Sequence, residues 1–181
     1  MITTAAGLFA ERGYAGVSAD DIVSMAGLTR GALNHHFGDK AGLFRAVFEQ
    51  LEARLSAELR AALEATEDTL SGMAAALGAF LDICQRAEVL RIALTDAPTV
   101  LGWETWRAIE AEHGLGLITD LIEGAVAEGA VIAQPPEVLA QLILGVTTEA
   151  ALMIANGTDR AAVEPALLAM LAGLLPAQDS S

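Results

Sequence analysis

The chain has 181 residues, 54% of them hydrophobic and only 4% aromatic, with Ala and Leu carrying the apolar load; this favours helices over strands and an all-α fold. A single cysteine, Cys84, excludes a disulfide framework and fits a reducing compartment such as the cytoplasm. The net charge of −14 opposes nucleic-acid binding at face value, yet residues 1–50 hold four basic against five acidic side chains and leave a balance of −13 to residues 51–181, where it keeps an apolar, self-associating surface soluble.

Taken in chain order, Ile2, Ala5, Ala6, Leu8 and Phe9 recur at helical spacing and predict a first helix from about Ile2 to Arg12, ended by Gly13. Ser18-Ala-Asp-Asp21 is a capping-box-like start, so a second helix runs to about Ala26 and Gly27. Thr29 caps a third helix of about two turns that stops at Phe37 and Gly38. Two short helices joined through a Gly-containing turn make a helix-turn-helix over residues 18–37. Asp39 then caps a long helix to about Ala65, with Phe44, Val47, Phe48, Leu51, Leu55, Leu59 and Leu63 on its inner stripe. Further helices are expected near 69–86, 88–95, 101–113, 115–129, 137–156 and 160–175. The breaks between them are placed at Pro98, at Gly114 and Gly116, at Pro135 and Pro136, and at Asn156 and Gly157. The resulting division is an N-terminal three-helix domain (1–46), a larger helical domain (47–176) and a flexible tail (177–181). The apolar stretch Val138 to Ala155 contains Gln141, Thr147, Thr148 and Glu149 and reads as a buried helix, not a membrane span; no secretory leader opens the sequence.

The third helix carries the chemistry. Leu33 and Phe37, four residues apart, are expected to pack inward with Ile22 and Leu28, which turns Arg30, Gly31, Asn34 and His35 outward. An anchored helix with such an outer face suits the DNA major groove, where Arg bonds guanine bidentately and Asn bonds adenine, and where Gly31 allows close approach. Lys40 is the only lysine in the chain and sits in the first turn of a helix, where the macrodipole disfavours a cation. A DNA phosphate at that helix start is the expected compensation, with the side chain exposed.

Residues 2–50 resemble the DNA-binding domain of the tetracycline-repressor (TetR) family through Leu8-Phe-Ala-Glu-Arg-Gly-Tyr14, Ser18 to Ile22, Ala26-Gly27-Leu28-Thr29-Arg30-Gly31 and Leu33-Asn-His-His-Phe-Gly-Asp-Lys40. The resemblance implies that Thr29, Arg30, Gly31 and Asn34 lie on the recognition helix and that Ser18, His35 and Lys40 reach the phosphate backbone. Asn34 stands where the family usually has tyrosine, which turns a backbone contact into a base contact. The chain begins within its first helix, without the basic arm that often precedes it in the family. Residues 51–181 resemble the family's ligand-binding and dimerisation domain more loosely. The implied function is a ligand-responsive transcriptional regulator of the repressor kind: a homodimer on a palindromic DNA operator, released by a small apolar or aromatic effector. The competing expectation is a helical adaptor that has lost DNA binding.

For the effector, Trp103, Trp106 and His113 lie on one helical stripe with Ile109, and Phe80 and Cys84 are one turn apart; these five are the candidate ligand-binding residues. Glu110-x-x-His113 has the spacing of half a di-iron site, but the second copy it requires is missing, so no metal and no cofactor are expected. There is no nucleophile with a base at a recognisable spacing and no phosphate loop, so no catalytic residue is named. Val138, Leu139, Leu142, Ile143, Val146, Leu152 and Met153, with Leu167, Leu168, Leu171 and Leu175, exceed what one small bundle buries and predict a four-helix interface across a twofold axis.

Overall fold

The structure is a computed structural model that describes residues 1–176; the expected tail at 177–181 lies outside the described residues. Among the described residues every regular element is helical. The helices are α1 (Ile2–Arg12), α2 (Ala19–Met25), α3 (Arg30–Phe37), α4 (Lys40–Glu64), α5 (Thr69–Cys84), α6 (Ala87–Val89), α7 (Ala97–Leu101), α8 (Trp103–Ala127), α9 (Pro136–Ala155) and α10 (Arg160–Ala172); a π-helical turn, Leu90–Asp96, joins α6 to α7.

They form two compact units. The first comprises Met1–Leu55 and Gln85–Ile109, the second Ser56–Cys84 and Glu110–Ser181. Packing thus adds the segment from α6 to the start of α8 to the three N-terminal helices, something no linear division of the chain conveys. In the first unit, Leu8 and Phe9 of α1, Ile22 and Val23 of α2, Leu33 of α3 and Leu43, Phe44, Val47 and Phe48 of α4 are buried. The Phe9 and Phe44 rings meet edge-on with centroids 5.1 Å apart, and Tyr14 meets Phe44 the same way at 5.2 Å. Arg54 of α4 pairs with Glu88 of α6.

The second unit buries Leu77 of α5, Ala150 of α9 and Val163 and Leu167 of α10 in one cluster, and Ile122 of α8 with Leu139 and Ala140 of α9 in another. By length and composition α9 could cross a membrane. Here Leu139, Ala140, Leu144, Ala150 and Ala151 of that helix are buried, and Thr147 turns its hydroxyl back onto the Ile143 carbonyl at 2.9 Å. Val138, Leu142 and Met153 on α9 and Leu168 and Met170 on α10 are left exposed.

Two expected breaks are corrected. Gly114 and Gly116 do not divide α8, which runs unbroken from Trp103 to Ala127. A mid-helix glycine costs only about 1 kcal/mol relative to Ala, and at Gly114 the missing side chain leaves room for Leu144, whose Cδ1 would lie 3.4 Å from an added Cβ. Pro98 does not interrupt the chain either. It stands at the start of α7, directly after the π-helical turn, and the interruption falls at Gly102, whose φ of 79° suits glycine.

Candidate nucleic-acid interface

The site rests on three capped helix starts. At α2, Ser18 Oγ accepts from the Asp21 amide at 3.0 Å, while Asp21 Oδ2 accepts from the Ser18 amide at 2.8 Å and from its hydroxyl at 2.6 Å. This is a reciprocal capping box. Thr29 Oγ1 accepts from the Ala32 amide at 3.1 Å at the start of α3, and Asp39 Oδ1 accepts from the Gly42 amide at 2.8 Å at the start of α4. The hydrogen bonds from Ser18, its hydroxyl's first, hold the Asp21 carboxyl below its ordinary value. A carboxylate so depressed adds stability that is complete above the ordinary aspartate range and is lost as pH falls through the lower folded value. The cap of α2 should therefore loosen only in acid, a change visible in the Ser18 and Asp21 amide resonances. Ser18→Ala should cost about 1 kcal/mol of stability at neutral pH, read from urea unfolding.

On α3, Leu33 is fully buried and Arg30, Gly31, Asn34 and His35 are exposed on the other side. Ser18 and Thr29 are exposed beside them. The expected inner row is shorter than the sequence implied: Leu28 is 44% exposed and Phe37 is only half-buried, so α3 is anchored by Leu33 with Ile22 of α2 in the same core. Leu28 and Phe37 instead line a groove of about 600 Å³ with Met1, Ile2, Thr3, Ala32, His36 and Gln50. Arg30 donates from Nη1 to Asp20 Oδ1 at 2.8 Å.

Lys40 is placed differently from the expectation of an exposed lysine without a protein partner. Its Nζ donates to the carbonyls of Tyr14 at 3.0 Å and Val17 at 2.9 Å and lies 3.9 Å from the centroid of the Tyr14 ring. The cation disfavoured at a helix start is thus compensated within the chain, by two carbonyl dipoles and an aromatic face. Burial, then the Asp39 charge, pushes the Tyr14 phenol up, so the ring beneath Lys40 stays neutral. The same α1–α2 turn is held from a second side. The Tyr14 amide donates to Asp96 Oδ2 at 2.7 Å, Asp96 pairs with Arg91 at 3.5 Å, and the Arg91 guanidinium lies over Gly13. Nothing in the sequence tied Asp96 or Arg91 to the α1–α2 turn; their role becomes visible only when the π-helical turn is seen packed on α1.

The candidate effector residues separate between the units. Trp103 and Trp106 belong to the first, with centroids 4.8 Å apart and edge-on; Trp103 is 61% exposed and Trp106 fully buried. Among the described residues the indole N–H of Trp106 has no acceptor. Phe80, half-buried, and Cys84, buried, lie in the second unit, as does His113, whose carbonyl accepts from the Ser56 hydroxyl at 2.9 Å.

Comparison with known proteins agrees with this architecture. Residues 1–47 match the family model described as bacterial regulatory proteins, tetR family, and residues 70–177 match the tetracyclin repressor-like C-terminal domain. A TetR-family transcriptional regulator from Pectobacterium atrosepticum superimposes with a TM-score of 0.87 at 39% identity, over 97% of this chain and 92% of that one. The transposon Tn10 TetC protein of Escherichia coli is 25% identical over 175 residues, 97% of this chain and 88% of that protein. The HTH-type transcriptional regulator CymR of Pseudomonas putida is 41% identical over 63 residues, 35% of this chain and 31% of its own length. With the helix-turn-helix, the helical second unit and both family models in agreement, the chain belongs to the TetR family of bacterial transcriptional regulators.

Proposed function

We propose that this regulator reads a palindromic operator as a homodimer, inserting α3 of each protomer into a major groove so that Arg30 and Asn34 meet base edges while Thr29, Gly31 and His35 line the approach to the strands. The family's members bind DNA operators as homodimers and respond to small-molecule effectors; the assignment of these side chains is ours. The observation that carries it is the exposed polar face of a helix whose other side is anchored by Leu33 and whose start is capped by Thr29. Ser18 and Lys40 serve the interface chiefly by building it: the Ser18 hydroxyl proton is given to Asp21, and the Lys40 ammonium to two carbonyls. In this reading the protein acts in the cytoplasm, by binding and not by turnover, and represses. A small, largely apolar effector releases it; the edge-on pair Trp103 and Trp106 supports a contact in the first unit, and Phe80, Cys84 and His113 are the candidates in the second.

Arg30→Ala tests the reading. It should weaken binding to the preferred operator by roughly 1–3 kcal/mol and relax the preference at one base pair per half-site. Fluorescence anisotropy on the operator and its single-pair variants measures both. Unchanged affinity and preference, with the dimer intact, would sink the assignment.

A further inference from the structure

The pair between α2 and α3 reaches beyond the proposed base contact and rests on it. We propose that Asp20 is a specificity-determining residue: it holds the Arg30 guanidinium in the orientation that reads a base pair, and its charge weakens the protein's grip on every other DNA sequence.

Asp20 and Arg30 are ten residues apart and stand in the first turns of successive helices, each turn locked by its own cap. Their side chains are 77% and 55% exposed. A pair so exposed adds little to folding stability, because solvent screens the attraction and two side chains lose freedom to make it. Its geometry still matters. Arg30 is a long side chain that samples many rotamers, and a guanidinium must approach guanine in plane to bond O6 and N7 together. The bond from Nη1 to Asp20 uses one of five N–H donors and leaves four, enough for a parallel pair. Holding Arg30 before contact removes part of the ordering cost at the one sequence where that orientation is useful.

The sign of the charge supports the second half of the proposal. Sequence-independent DNA affinity comes from basic side chains neutralising phosphates. This chain has only four basic side chains in its first 50 residues, and it spends an aspartate beside one of them on the recognition surface. Placed there, a carboxylate penalises any complex in which Arg30 finds no base to bond, which is discrimination by repulsion as well as by attraction.

The experiment compares the full-length wild type with Asp20→Asn, Asp20→Glu and Arg30→Ala. Each is measured on an operator selected from random duplex, on all its single-pair variants and on an unselected duplex. Asp20→Asn should bind the unselected duplex more tightly and lose about fivefold or more of the discrimination at the base pair where Arg30→Ala flattens preference, with other positions unchanged. Asp20→Glu, which keeps the charge, should retain much of that discrimination. If Arg30→Ala flattens one position while Asp20→Asn discriminates there as well as wild type, the role of Asp20 is overturned and that of Arg30 stands. If Arg30→Ala flattens nothing, both are overturned. An equal loss by Asp20→Asn on every sequence would make Asp20 merely structural and would also overturn the proposal.

Discussion

Replacing Leu142 with Arg should leave the protein folded, monomeric and unable to hold its operator. Leu142 is 61% exposed on α9, in a stripe with Val138 and Met153, while the buried residues of α9 pack on α5, α8 and α10. A monomer gains nothing from that face, whereas burying a leucine contributes about 1.5–3 kcal/mol. In a twofold interface each residue is counted twice, and an arginine there adds the cost of a desolvated charge without a partner. Dimerisation should weaken by about 3 kcal/mol or more, a hundredfold or more in Kd. A palindrome needs two recognition helices on one face of the duplex, so operator affinity should fall with the dimer. Sedimentation at micromolar concentration gives the answer; a persistent Leu142→Arg dimer would place the interface elsewhere.

Lys40→Met should destabilise the first unit by about 2–4 kcal/mol, since hydrogen bonds to a charged group contribute about 1.5–3 kcal/mol and the contact with Tyr14 about 0.5–1 more, partly screened at this half-exposed position. The loss should concentrate where Lys40 holds the chain, the turn from Tyr14 to Val17 that sets α2 against α1. Urea unfolding and amide exchange at residues 14–17 report it. DNA affinity would fall as a consequence, through a loosened helix-turn-helix. An unchanged unfolding midpoint with a smaller salt dependence of DNA binding would return Lys40 to a purely phosphate-directed role.

These two residues show what the sequence could and could not reveal. Local signals were readable because local chemistry enforces them: Ser18, Thr29 and Asp39 cap the helices that follow, and the positive φ of Gly13, Gly27 and Gly38 ends the helices before them. The outward set on α3 was read from an inward row of Leu33 and Phe37 with Ile22 and Leu28; Leu33 and Ile22 are buried as that row requires, whereas Leu28 is exposed and Phe37 half-buried, so the set stands on fewer anchors than the sequence implied. Lys40 was singled out correctly as a cation that needs a partner, but the partner lay 23 and 26 residues back in the chain, where periodicity gives no information. Gly114 and Gly116 misled because each weakens a helix by only about 1 kcal/mol, an amount the packing of α8 offsets, at Gly114 through the close approach of Leu144. The grip of Asp96 and Arg91 on the α1–α2 turn was invisible for the same reason as that of Lys40: it joins segments 82 residues apart.

If α3 reads DNA as one of a symmetric pair, selection of bound sequences from a random duplex pool by the full-length protein will reveal it. The enriched sequences should share a palindrome with half-sites about 34–36 Å apart, or a multiple of that, and the same selection with Arg30→Ala should lose one conserved base pair in each half. A pool that shows no enrichment over several rounds, from a protein that is folded and dimeric, would contradict the claim.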